Sequence, residues 1–399
     1  MTHPTPPAAT AADPSFPDLL AAAESALPAL LGAIGSVVGV ETPSADLAAV
    51  AHGAEQVAAL GTGMLGIAPE TLTVDGCTHL RWRLGGSGPR VLILCHQDTV
   101  WPLGTLERLP FAIRDGVLTG PGSFDMKTGL VMAFHALQLL GAGGSSGTEV
   151  PAVTVLVTGD EEIGSPTSRA LIEQEASTAA ATFVLEASGD GGRIKTGRKG
   201  VSMYQVTVTG RASHAGLEPE KGINAGVELA RLILQIEQFA DLAAGTSVVP
   251  TAASIGTTGN TVPASATVSV DSRAWTVDEQ HRVDAAMRAL RTAHPEAALE
   301  IGGGINRPPM DPAQAQPLFE LAGELAVGLG LPAPQEISVG GGSDGNFTAG
   351  VGCPTLDGLG AVGGGAHADT EHVLVAEIAG RTALLAALIR SVCAGSPTR

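Results

Sequence analysis

The sequence predicts an α/β domain interrupted by an inserted α+β unit of ferredoxin-like order. Three observations predict it. Apolar, β-branched runs alternate with helical patterns through residues 1–199. The order then changes to β-α-β-β-α-β over 200–307, and strand and helix alternation resumes over 308–399.

The outer strands are "RVLILCH" (90–96), "AVTVLVT" (152–158) and "TFVLEA" (182–187). Each is a continuous apolar run, as expected of a strand covered on both faces. Between them, "KTGLVMAFHALQLL" and "SPTSRALIEQEA" carry helical spacing, the second with Ser165 as N-cap and Pro166 at the first helical position. In the inserted unit the strands are "VSMYQVTVTG", "SVVPTAASIG", "SATVSVDSRA" and "AALEIGG". Its helices are "GINAGVELARLILQIEQF" and "VDEQHRVDAAMRALRTAH". A helix over about Gln316 to Gly328, a strand near Pro354 to Asp357 and a last helix reaching about Cys393 complete the outer domain. A ligand is expected in the cleft between the two domains.

Composition narrows the function. A chain of 399 residues can bury two cores, and its formal net charge of -18 argues against a nucleic-acid partner, which would need clustered Lys and Arg. No apolar stretch reads as long enough to cross a bilayer, so no membrane partner is expected. The opening "MTHPTPPAATAADPSFPDLL" has neither a basic n-region nor an apolar h-region. Residues 1–15 are therefore expected to be a frayed leader, and the location cytoplasmic. Cys77, Cys95, Cys353 and Cys393 are scattered, which predicts reduced thiols and no cysteine metal site.

The chemistry concentrates at strand ends. "LVTGDEEIGS" (156–165) sets a buried strand against three consecutive acids, Asp160, Glu161 and Glu162. Clustered carboxylates repel one another and lose hydration when buried, so cations or catalysis must compensate; otherwise the run is a solvated loop. Its neighbours favour cations. His96 and Asp98 end "LCHQDTV", Asp125 precedes a helix in "GPGSFDMKTG", Glu186 ends the next strand, and His367 lies in "GGGAHADTEH". Imidazoles and carboxylates without thiolates suit zinc or a similar divalent ion. Two ions about 3.5–4 Å apart need a shared carboxylate, for which Asp125 is the candidate. His96 and Glu186 then complete one site, Glu162 and His367 the other. Glu161 remains to take a proton from the attacking water, and Asp98 to hold the second ring nitrogen of His96. Taken singly, His96 could be a turn residue, Glu186 a solvated acid and "DTEH" a helix start; their conjunction argues for function.

"HQDTV", "GPGSFDMKTG", "GDEEIGS", "GRASHAG", "GGGSDGN" and "HADTEHV", in this order from about Val91 to Val373, resemble the M20 metallopeptidases, and within them the glutamate carboxypeptidase branch. The resemblance implies a di-zinc exopeptidase-like catalytic domain with two Zn2+ per subunit, replaceable by Co2+ or Mn2+. It also implies an inserted lid that forms a homodimer and a cis bond after Asp125. His214 resembles the histidine that reaches across the dimer to stabilise the oxyanion. Asn260 and Arg273 resemble the grip on the free carboxylate of the released residue, a task suited to an arginine fork. Arg307 resembles the arginine that glutamate-specific members use for the side-chain carboxylate. Arg193 stands where some of those members carry lysine, and Gly342 and Ser343 lie in the loop lining this pocket. The implied activity is hydrolysis of a small peptide or N-acyl amino acid, with release of glutamate or another acidic residue.

Three rivals stand beside it. "GLGAVG" (358–363) matches a dinucleotide fingerprint, although a true one opens a helix within a βαβ unit. An inactive metal-bearing binding protein would share the fold, against which Glu161 argues. A dipeptidase or N-acyl-amino-acid deacylase would use the same metals.

Overall fold

The computed structural model describes residues 16–144 and 150–395; the expected leader, 1–15, lies outside them. Two compact units are present. One comprises the chain up to Thr196 with Pro312–Ser338 and Ser343 onward, the other Gly197–Asp311 with Val339–Gly342.

The first unit is built on a six-stranded sheet in the order Glu70–Val74, Cys77–Leu84, Val153–Thr158, Val91–His96, Ala181–Val184, Thr355–Leu356. The last four strands run parallel, and the first two form an antiparallel hairpin on the sheet's edge. Every residue of Val91–His96 and Val153–Thr158 is buried. On one face Leu92, Leu94, Leu156 and Val184 pack with Ile172, Ala176, Phe347 and Cys353. Each fully buried leucine there contributes about 1.5–3 kcal/mol. The helix Thr128–Leu139 is buried through its first ten residues, so it shows no polar stripe. The helices Phe16–Val38, Leu47–Leu65 and Val375–Cys393 surround it.

The structure departs from two expectations and removes two rival readings. Contrary to the sequence reading, the helix Phe16–Val38 is long and apolar enough over Asp18–Val38 to cross a membrane by length and composition. Its Leu19, Ala23, Leu30, Ile34 and Val38 form one stripe buried within the unit. The helix expected from Ser165 begins at Arg169 instead. Ser165 adopts a left-handed φ of 58° and bonds its hydroxyl to Asp344, while Ser168 stands at the N-cap of that helix. "GLGAVG" opens no helix: after Thr355–Leu356 the chain runs as a loop into the short strand Gly363–Gly364, which removes the dinucleotide reading. "DTEH" starts no helix either, since His372–Leu374 is a strand and the helix begins at Val375.

The second unit has the expected β-α-β-β-α-β order. Its sheet runs Ser247–Ile255, Ser265–Ala274, Gly200–Thr209, Ala298–Arg307, antiparallel throughout. Register sets Val206 opposite Val268 and Val208 opposite Ala266. These four join Leu229, Leu232 and Ile236 of the helix Ala225–Glu237 and Val283 and Met287 of the helix Val277–Arg288 in one core. The Asn224 and Thr276 side chains cap those helices by accepting the N–H groups of Val227 and Glu279.

Candidate metal centre

Three strands of the first unit deliver their functional groups from the carboxyl end, where open α/β sheets gather ligands. His96 is the last residue of its strand. Glu161 and Glu162 form the turn after Val153–Thr158, and Glu186 lies two residues beyond Ala181–Val184. The Leu185 carbonyl just before Glu186 is so closely packed that a Cβ on Gly129 or on Gly360 would lie 2.1 Å from its oxygen. Asp125 sits in a turn at the entry to the helix Thr128–Leu139, and the Asp125–Met126 peptide is cis. His367 comes from the loop between Gly363–Gly364 and His372–Leu374, with a left-handed φ of 62° that few non-glycine residues adopt.

The acidic run has a scaffold of its own. The Asp160 carboxylate accepts the N–H and hydroxyl of Thr167 at 2.7 Å each and those of Ser168 at 3.2 and 2.5 Å. This folds the turn so that Asp160 faces inward and Glu161 and Glu162 project at the sheet end. Cys77 and His79 lie close enough to Asp160 for a metal trio. Yet His79 Nδ1 accepts the Gly159 N–H at 3.2 Å, Nε2 meets the Thr167 hydroxyl at 2.9 Å, and both Asp160 oxygens are already bonded. Burial lowers the His79 pKa and pushes the Cys77 thiol up to about 11, so the thiol stays protonated and the trio is a hydrogen-bonded plug.

The five expected ligands come together. Asp125 Oδ1 is 3.2 Å from His96 Nε2, and Oδ2 is 3.3 Å from His367 Nε2. Glu186 Oε1 lies 3.4 Å from His96 Nε2, and Glu162 Oε2 3.2 Å from His367 Nε2. Asp125 thus offers one oxygen to each half of the site. Glu161 groups with His96 and Glu186, their ligand atoms lying within 4.8 Å of one another.

Electrostatics call for positive charge in both halves. Burial opposes a charge on His96, but Asp125, Asp98 and Glu186 hold its pKa well above the ordinary value. Hydrogen bonds to Asp125 and Glu162 push His367 up to about 10. Burial raises the pKa of Glu162, whereas the two histidines hold Asp125 far below the usual carboxylate range despite its burial. Glu162 Oε1 is buried and accepts no hydrogen bond among the described residues. An orphaned carboxylate oxygen, a carboxylate shared between two imidazoles and the absence of thiolates fit a pair of divalent cations.

The surrounding groups differ in part from expectation. Asp98 is fully buried, but it is its backbone carbonyl that meets His96 Nδ1, at 3.0 Å; its carboxylate stands 3.5 Å away. That carboxylate instead accepts the Ser44 hydroxyl at 2.6 Å and the N–H groups of Glu161 and Glu162 at 3.2 Å each. Sequence reasoning missed Ser44. It also missed Glu371, whose buried carboxylate bonds Trp101 and the turn of Asp125, although the residue lies within the quoted "HADTEH".

The remaining residues lie as follows. Arg193 is exposed, with Nε 3.3 Å from Gln335 Oε1. Ser343 is fully buried and gives its hydroxyl to Asp357 at 2.5 Å; it is not offered to a pocket, because Asp357 already claims it. In the second unit, exposed His214 accepts the N–H groups of Gly216 and Leu217 on Nδ1, both at 3.1 Å. Its proton therefore belongs on Nε2, an assignment made from the hydrogen-bond pattern. Asn260 lies beside it, its carbonyl accepting the Ala215 N–H at 2.9 Å. The Arg273 fork, expected to await a substrate carboxylate, is engaged with Asp271 through two 2.8 Å bonds. Arg307 is buried, and the Gly342 carbonyl is 3.3 Å from an Arg198 nitrogen.

An imidazole–carboxylate double site at the carboxyl ends of parallel strands, with a further buried glutamate beside it, defines a metal-binding hydrolase. The chain belongs to peptidase family M20/M25/M40, whose profile matches residues 92–391. It is 32% identical over 389 residues to carboxypeptidase G2 of Pseudomonas sp. (strain RS-16), covering 94% of this chain and 92% of that protein. It is also 32% identical over 348 residues to a succinyl-diaminopimelate desuccinylase of Acidiphilium cryptum (strain JF-5), covering 82% and 89%. In fold it resembles the dinuclear metal-binding M20 peptidase YXEP of Bacillus subtilis. The TM-score is 0.62 at 15% identity, over 93% of this chain and 99% of that one.

Proposed function

We propose that the chain is a di-zinc carboxypeptidase that hydrolyses the amide bond of a small peptide or N-acyl amino acid and releases a C-terminal glutamate or other acidic residue. The observation that carries the metal assignment is Asp125, whose two oxygens face His96 and His367. His96 with Glu186, and His367 with Glu162, would complete the two sites. When bound, the ions would supply Lewis acidity and make a water nucleophilic near neutral pH.

The chain's own groups carry the proton and the charge. Glu161 would take a proton from the attacking water and return it to the leaving nitrogen. His214, protonated on Nε2, would donate to the oxyanion from a second copy of the chain in a lid-mediated homodimer. Asp98 would hold the turn of Glu161 and Glu162 through their N–H groups. Asn260 and Arg273 would grip the released residue's carboxylate, which would have to compete with Asp271 for the arginine fork. Arg307, supported by Arg193 and the loop at Gly342 and Ser343, would read an acidic side chain. The likeness to carboxypeptidase G2 supports this preference. Four unpaired cysteines are consistent with a reducing, cytoplasmic setting.

A second reading, an N-acyl-amino-acid deacylase or dipeptidase, is favoured by the likeness to the desuccinylase. A panel of N-acyl amino acids and dipeptides offered to zinc-loaded enzyme separates them. Fastest turnover of glutamate-terminated substrates supports the carboxypeptidase reading; indifference to the released residue overturns it.

A further inference from the structure

Glu371 is fully buried, and each of its oxygens accepts two hydrogen bonds. Oε1 takes the N–H groups of Phe124 at 2.8 Å and Asp125 at 3.1 Å. Oε2 takes the N–H of Gly122 at 2.9 Å and the Trp101 indole at 2.8 Å. These four donors fill the carboxylate, so Glu371 is not a metal ligand.

The turn it holds cannot satisfy itself. Gly122 has a φ of 71°, and Asp125 and Met126 have non-helical angles of -120°, 94° and -132°, 28°. The N–H groups at 122, 124 and 125 therefore converge on one point outside the chain's own ladder. A buried N–H without an acceptor is costly, and a charged acceptor is the strongest available. Glu371 also lies only four residues beyond His367. Its loop is closed by Ala368 N–H to the Gly365 carbonyl at 2.9 Å and by Glu371 N–H to the Ala368 carbonyl at 2.8 Å. One side chain thus fixes the Asp125 turn to the segment that carries His367.

We propose that Glu371 is a positioning residue that forms the Asp125 turn before any ion binds, so that Asp125 presents one oxygen to His96 and one to His367. The inference rests on the metal reading given above. Partners that orient ligands without touching the ion typically govern metal affinity by about 10–100-fold. Glu371→Gln keeps the shape but turns an amide NH2 toward two N–H donors, which opens half of the grip.

The test has two arms. In metal-free wild-type protein, hydrogen exchange should already show protected amides at Gly122, Phe124 and Asp125; protection that appears only after Zn2+ is added would mean the ion shapes the turn, and overturns the proposal. Titration of metal-free Glu371→Gln with Zn2+ should show affinity lowered about 10–100-fold, and its Co2+ form an altered visible absorption band, with the far-UV circular dichroism of a folded chain. Unchanged affinity and spectrum overturn the proposal. Wild-type protein that takes up no ion would defeat the metal reading instead, a result separate from either arm. Should the variant not fold, the exchange measurement on wild type alone decides.

Discussion

The Asp98 carboxylate accepts the backbone N–H of Glu161 at 3.2 Å. The placement of Glu161 is therefore set through the backbone, by a neighbour whose charge does not depend on the chemistry of the Glu161 side chain. Replacing the Glu161 carboxylate with an amide should leave the turn and the candidate ligands as they are. Glu161→Gln is expected to retain two metal ions and to lose about 10²–10⁴-fold in turnover, the range of a lost general base. Metal content and rate measured on one preparation check this. Loss of metal together with activity, restored by adding excess ion, would make Glu161 a ligand.

Substrate selectivity separates the two arginines. Arg273→Ala should raise KM for every substrate with a free carboxylate, whereas Arg307→Ala should harm glutamate-releasing substrates far more than alanine-releasing ones. Steady-state kinetics on a matched substrate pair are sufficient. Equal losses on both members of the pair in the Arg307 variant would point to the deacylase or dipeptidase reading.

His214 and Glu161 belong to different units of the chain, so complementation can ask whether one copy serves another. Mixing His214→Ala with Glu161→Ala under subunit exchange gives mixed dimers in which one site regains both groups. With random exchange half the dimers are mixed and each has one working site, so activity should reach about a quarter of wild type. If exchange is verified and activity stays at the background of the single variants, His214 does not act across a dimer.

The thiols offer a pH-dependent readout. Burial pushes Cys77 and Cys393 up to about 11 and raises Cys95 and Cys353 as well. The raised pKa favours the unreactive thiol below it, so on the order of one thiolate in a thousand is present at pH 8 for the first two. Labelling of native protein with a thiol reagent should be slow at pH 8 and accelerate as pH rises, while denatured protein should label all four at once. Rapid native labelling of even one cysteine would contradict this burial.

The hydrophobic pattern carried most of the architecture. Continuous runs such as "RVLILCH" report burial on both faces, and the alternation in "SATVSVDSRA" reports one covered face, which is the burial seen for Ser265–Ala274. What escaped the reading was short-range or long-range. The hairpin Glu70–Val74 and Cys77–Leu84 turns at Asp75 and Gly76, with φ of 47° and 84°, on a "DG" pair that is a local signal for such a turn. Ser165 looked like a cap because a cap is local, whereas its actual partner, Asp344, is 179 residues away. The candidate ligands were legible because His96, Glu162 and Glu186 lie at or just beyond strand ends, which meet at one edge of the sheet. Arg273 could be read as an arginine beside an alternating strand, but not as one already held by Asp271, since that depends on a rotamer choice two residues away.

Gly129 and Gly360 press on the Leu185 carbonyl from separate segments of the chain, immediately before Glu186. Neither bears a side chain that could touch substrate or ion, and neither would attract notice in a catalogue of reactive groups. Yet even a single methyl group at either place must push the backbone that delivers Glu186. In a saturation library screened for hydrolysis, these two positions should therefore be as intolerant as the candidate ligands themselves. The catalytic footprint of this chain includes places where its chemistry requires nothing but empty space.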